Sequence, residues 1–193
     1  PNHITAARDA ILSYIAETKK TSIVNGKMIF LQGSPMLTKT GSILTGRLSG
    51  IVAHHIPAYL KKNRLPTFKT NCIENWENKV DAIVEETMFE KMSVISGIPP
   101  WVQMYFEKLK KMSGKLIKDL FPMFDLFIYG GVNYEPYKNS FEKIIGKKID
   151  GIELYPASEG FIAYQDSQKE EGMLLCVNHG IFYEFIKAED FFK

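Results

Sequence analysis

Apolar residues recur along the chain at two periods, and the switch between them predicts an order of elements. Over residues 4–20, Ile4, Ala7, Ile11, Tyr14 and Ile15 fall at three- and four-residue steps, the spacing of one helical face. Asn2 or Thr5 is a candidate cap for this helix, and Lys19-Lys20 suits the negative end of its dipole. After Gly26 the run Lys27–Leu31 predicts a strand, which Gly33, Ser34 and Pro35 end. Ile51–Leu60, broken by Pro57, reads as a bent helix with Lys61-Lys62-Asn63-Arg64 as its solvated end. Asn78–Lys91 is a second helix, with Val80, Ile83, Val84, Thr87 and Met88 on its inner face.

From Met92 onward the periods alternate. Met92–Ser96 reads as a buried strand, stopped by Gly97-Ile98-Pro99-Pro100. Trp101–Met112 resumes helical spacing through Trp101, Met104, Tyr105 and Leu109, with Pro100 suited to the first turn. Phe124–Tyr129 is a strand, Glu135–Ile145 a helix and Ile149–Tyr155 a strand. Strand, helix, strand, helix, strand implies right-handed crossovers and a largely parallel sheet flanked by helices, an α/β fold. Phe161–Gln165, Gly172–Asn178 and Ile181–Ile186 are short runs, with Asn178-His179-Gly180 as a hairpin signal between the last two. The sheet is therefore expected to turn antiparallel near its C-terminal end.

In an open parallel sheet, ligands bind beyond the carboxyl ends of the strands. Three segments fall there: Gly97–Pro100, Gly130–Asn133 and Tyr155–Gly160. The run Tyr155-Pro156-Ala157-Ser158-Glu159-Gly160 puts an aromatic ring, a hydroxyl and a carboxylate within five positions. Such a set suits a nucleotide: a ring face for a base, a hydroxyl and backbone N–H for phosphate, one carboxylate for Mg²⁺. A strand ending in a polar turn has the same composition. Gly130-Gly131 lets a flat ring lie against the backbone, or serves a tight strand-to-helix turn. Lys39–Gly50, rich in Gly, Ser and Thr around Arg47, is either a flexible connector or a ligand approach with Arg47 as the anion partner.

Composition narrows the class. With 45% hydrophobic and 24% charged residues the 193-residue chain is an ordinary globular sequence, sized for one domain or part of a larger one. The net charge of +2 and the interleaving of acidic with basic residues give no nucleic-acid footprint. No apolar run has the length of a membrane span. Cys72 and Cys176 lack metal-ligand spacing and fit a reducing compartment, the cytoplasm. Ser158 stands in Pro-Ala-Ser-Glu-Gly rather than a hydrolase elbow, and neither GxGxxG nor a Walker lysine accompanies Gly130-Gly131.

Strand, Gly130-Gly131-Val132, helix, strand and Tyr155–Gly160 together resemble the acyl-adenylate-forming superfamily. More closely, Ser96-Gly97-Ile98-Pro99-Pro100-Trp101, Tyr155–Gly160 with Phe161, and Phe182-Tyr183-Glu184-Phe185-Ile186 resemble the auxin-responsive acyl-acid amido synthetases, bacterial members included. The resemblance spans most of residues 26–186. It implies MgATP-dependent activation of a carboxylic acid to an acyl-adenylate, then acyl transfer to an amine, often an amino acid. Under it Ser158 and Glu159 are the catalytic pair, with Tyr155 stacking on adenine, Ser158 meeting phosphate and Glu159 holding Mg²⁺. Gly160, Gly130, Gly131 and Val132 line the nucleotide and acyl side, and Arg47 is an acyl-acid contact. The family's first ATP motif is expected before Pro1, and its ribose-gripping Asp motif and mobile C-terminal domain after Lys193. The chain is thus expected to be one incomplete segment of the large N-terminal domain, inactive alone. CoA as the acceptor, or a non-catalytic binding module, are the rival readings.

Overall fold

A computed structural model describes residues 2–56 and 61–191. In chain order the helices are α1 (Asn2–Thr18), α2 (Leu48–His54), α3 (Phe68–Asn71), α4 (Trp76–Thr87), α5 (Pro99–Ser113), α6 (Ile117–Leu120), α7 (Glu135–Ile145) and α8 (Ala188–Phe191). The strands are β1 (Lys27–Leu31), β2 (Thr38–Thr40), β3 (Ile43–Thr45), β4 (Arg64–Leu65), β5 (Met92–Gly97), β6 (Leu126–Gly130), β7 (Asp150–Pro156), β8 (Phe161–Tyr164) and β9 (Leu174–Leu175). One seven-stranded sheet runs β4-β1-β5-β6-β7-β8-β9. Its first five strands are parallel, and β8 and β9 are antiparallel to their neighbours. The α/β class, the parallel core and the antiparallel ending read from the sequence are all present.

The period-two burial of the strands divides the core between two faces. Ile29, Ile95 and Phe127 point to one face, where α4, α5 and α7 bury Val84, Phe106 and Phe141 against them. Val94, Leu126, Ile128 and Ile152 point to the other, which α1 covers with Ala6, Ala10 and Tyr14. The buried stripe of α1 is thus rotated from the expected one. Ala7, Ile11 and Ile15 flank it half-buried, because the alanines at four-residue steps let the helix lie close on the sheet.

Helix ends follow their capping chemistry. Asn75 accepts from the Asn78 N–H and starts α4, Pro99 and Pro100 open α5, and Gly114 and Gly146 in the left-handed region close α5 and α7. On α5 the inner face is Val102, Tyr105, Phe106 and Leu109. Met104 is exposed, and Trp101 stacks on Trp76 at 4.2 Å instead of entering the core.

Four sequence expectations shift. Lys39–Gly50 contains an exposed hairpin, β2 and β3, turned at Gly41 with φ 64°. Arg64 is not a solvated helix end. It belongs to edge strand β4, and its guanidinium lies 4.6 Å above the Phe30 ring. The first part of the expected bent helix is α2, which ends at His54 with His55 and Ile56 leaving the helix, and residues 57–60 lie outside the described residues. Ile181–Ile186 pairs with no strand among the described residues, so Asn178-His179-Gly180 closes no hairpin there. Gly180 at φ 76° turns the chain away, Ile181 packs on Gly160, and Phe182, Phe185 and Ile186 remain exposed.

Candidate functional site

The motif at the end of β7 is the corner of a β-hairpin. Ala157 N–H donates to Gly160 O at 2.8 Å, and Gly160 N–H donates back to Ala157 O at 3.2 Å. Ser158 and Glu159 are therefore the two corner residues, with their side chains and amides outside the ladder. A bulge between Tyr155 and Pro156 precedes the turn, because Pro156 brings no N–H to the pairing. Leu154 packs toward α1, so alternation sends Tyr155 to the opposite face, where its ring is 54% exposed.

Two distant residues brace this hairpin. The His3 ring nitrogen Nε2 lies 3.0 Å from Ala157 O, and the same ring meets Phe161 edge-on at 6.0 Å. Gly160 is buried under Ile181, whose Cδ1 would stand 2.5 Å from any Cβ at position 160. No local pattern marks either partner, since His3 and Ala157 are 154 residues apart in sequence.

The neighbouring strand ends at the two glycines. Gly130 pairs with Leu154, and a Cβ there would fall 2.2 Å from Leu154 O, so the close approach of β6 and β7 excludes a side chain. Gly131 turns the chain at φ 76°, and its Cβ position lies 3.8 Å from Ile98 Cγ2. The segments after β5 and β6 thus touch, and β7 carries the third beside them. Each glycine has a conformational reason of its own. Val132 is half-exposed next to them. Tyr129, one residue earlier, has its phenol pushed up to about 12 by burial, with the Glu153 and Glu135 carboxylates adding to the effect. It stays a neutral donor at physiological pH.

Tyr155, Ser158, Glu159 and Gly160 sit on one hairpin, with Gly130 and Gly131 on the adjacent strand end. Arg47 is apart from them. It is exposed, precedes α2 and lies against Gly33 after β1, its Nη1 3.0 Å from the Cβ position of that glycine. Three strand positions separate β1 from β7.

Glu159 makes no ion pair among the described residues, and its carboxylate is exposed. No cluster of three or more His, Cys, Asp or Glu side chains converges among the described residues. A magnesium ion held by one carboxylate, phosphate oxygens and water needs no such cluster. A cavity of about 600 Å³ lined by Met88, Phe89, Met92 and Phe121 opens at the amino ends of the strands, away from these residues. No helix among the described residues is long and apolar enough to cross a membrane. No protein-family model matches the sequence, and comparison with curated proteins finds no match.

Proposed function

We propose that this chain contributes the nucleotide-facing hairpin of an enzyme that activates a carboxylic acid with ATP and passes the acyl group to an amine. The observation that carries the reading is the half-exposed ring of Tyr155, standing beside the exposed Ser158-Glu159 corner at the carboxyl end of the sheet. The resemblance to the acyl-acid amido synthetases supplies the reaction. The geometry is consistent with it, because a ring, a hydroxyl and an unpaired carboxylate share one short turn.

In this reading Tyr155 offers its ring face to adenine, and Ser158 donates its hydroxyl to a phosphate oxygen. Glu159 is the residue that would hold Mg²⁺, which when bound offsets negative charge on the phosphate oxygens. An oxygen of the acid attacks the α-phosphorus and pyrophosphate leaves. The amine nitrogen then attacks the acyl carbon, and AMP leaves with the bonding pair. Gly130, Gly131, Val132 and Gly160 shape the wall on which the nucleotide lies. Arg47 contacts the acid only if the acyl chain reaches toward β1. With Cys72 and Cys176 both free thiols, the proposed location is the cytoplasm.

The test is acid-dependent exchange of pyrophosphate into ATP by the full-length protein at limiting Mg²⁺. Glu159→Gln is expected to lower the rate by roughly 10²-fold, the scale of losing one preorganised electrostatic partner. An unchanged rate would remove Glu159 from the site.

A further inference from the structure

The cavity of about 600 Å³ at the amino ends of the strands lies between two walls. One is the turn from α4 into β5, Met88 to Lys91, and the other runs from the end of α5 through α6 to Met123. Met88, Leu120 and Met123 line it half-buried and Pro122 lines it exposed, so apolar surface faces the opening. The Ser158-Glu159 corner is at the other end of the sheet.

An apolar knob stands on the rim of this hole. Phe89 belongs to the lining, yet its side chain is 92% exposed. The backbone holds it outward: the Glu90 N–H donates to Thr87 O at 3.0 Å, and the Lys27 N–H donates to Lys91 O at 2.7 Å. The turn is thus fixed where α4 ends and again where β5 begins. A cavity of roughly 150 Å³ already holds a benzene ring, so the hole has room for a phenylalanine side chain from outside. A knob beside a hole that fits it is the self-complementary patch that a two-fold interface requires.

The charges on the rim point to the same occupant. The first wall carries Glu90 and Lys91, and the second carries Lys115 and Asp119. None of the four forms an ion pair among the described residues. A rim of one sign would repel a second copy of itself. Here each wall has one charge of each sign, so the first wall of one copy can meet the second wall of another without opposing like charges.

We propose that this end of the molecule is a two-fold interface between copies of the chain. Each copy inserts Phe89 between the walls of the other, against Met88, Leu120 and Met123. Glu90 of one copy then meets the partner's Lys115, and Lys91 meets the partner's Asp119. The apolar centre and charged rim follow the usual anatomy of an interface.

The test is sedimentation velocity of the full-length protein over a wide range of concentrations, with the methionine methyl signals followed by NMR over the same range. The wild type is expected to dimerise, with the Met88 and Met123 methyls shifting along the same curve. Phe89→Ser changes an exposed side chain, so the fold is kept, and it is expected to weaken the dimer by about 10-fold or more, the scale of losing an aromatic anchor. Glu90→Lys is expected to weaken it by roughly 2- to 5-fold, and Lys115→Glu in the same chain to restore it. A protein that stays monomeric throughout leaves the cavity to another occupant and overturns the proposal. So does a dimer that is unchanged by Phe89→Ser, that leaves both methyl signals unmoved, or that Lys115→Glu fails to restore.

Discussion

Tyr155 separates a ring that plugs the core from one that meets a ligand. At 54% exposure its truncation leaves no buried cavity, so the roughly 3–5 kcal/mol cost of deleting a core aromatic does not apply. Tyr155→Ala and Tyr155→Leu are expected to change stability by no more than about 0.5 kcal/mol. Tyr155→Phe keeps the ring face and should keep MgATP affinity. Tyr155→Leu should weaken that affinity by about 0.5–1.5 kcal/mol, the increment of an aromatic pair. Calorimetric MgATP affinities and thermal midpoints of the three variants check this. A Leu variant that melts early but binds normally would return the ring to the fold. The glycines next door behave differently. Gly131→Ala forces a side chain into the left-handed region, at about 1–2 kcal/mol. Gly130→Ala, with no left-handed strain, must push β6 from the Leu154 carbonyl and is expected to cost about 3 kcal/mol, read from urea denaturation of both variants.

Elements interlock through a few buried polar pairs, and one of them joins α4 to α5. The Thr87 hydroxyl lies 2.6 Å from Ile83 O and 2.7 Å from the Tyr105 hydroxyl, and both residues are fully buried. Thr87→Val strands the Tyr105 hydroxyl and is expected to cost about 1–3 kcal/mol. Adding Tyr105→Phe should recover part of that loss, because neither polar partner then remains. Strictly additive costs in the double-mutant cycle would show that the pair is not coupled. The long elements were legible because each buries a full stripe: α7 has the expected bounds, and β5, β6 and β7 end within a residue or two of theirs. What escaped was short and set by tertiary contact. Two-residue β4 forms only because β1 offers it an edge, and nothing local distinguishes Arg64 from the lysines before it. Lys79 was readable, since it stands four residues before Ile83 and eight before Thr87 and so shares their buried stripe. Of the candidate site, the composition of Tyr155–Gly160 was visible in the sequence. The contacts that brace it, from His3 and Ile181, come from far away along the chain.

At the scale of the molecule, the two cores are sealed by different means. Helices α4, α5 and α7 bury a shared aromatic and aliphatic core, with the Thr87–Tyr105 pair inside it, whereas α1 covers the opposite face together with Ile23 and is fastened at its C-terminal half by polar contacts at the surface. Tyr14 donates to Asp150 at 2.7 Å, and Lys20 pairs with the same carboxylate at 2.7 Å. Glu17 accepts from the Gln168 N–H at 2.7 Å and the Ser167 hydroxyl at 2.8 Å, which clips the segment after β8 to the helix. Those two bonds, the backbone one foremost, hold the Glu17 carboxyl below the ordinary glutamate value, with Lys169 assisting. A carboxyl whose folded pKa is depressed stabilises the fold above its unfolded pKa, and that contribution is lost as the pH falls through the folded value. The clip is therefore expected to hold at neutral pH and to release on acidification below roughly 4.3, the unperturbed glutamate value. Hydrogen exchange at the Gln168 amide reads it directly. In the wild type, protection of this amide, compared with that of the buried β5 amides, should fall as Glu17 protonates. Glu17→Gln should show the low protection at every pH and abolish that pH dependence. A wild-type protection ratio that stays flat through the carboxylate range would mean that the Glu17 charge does not fasten α1 to the sheet.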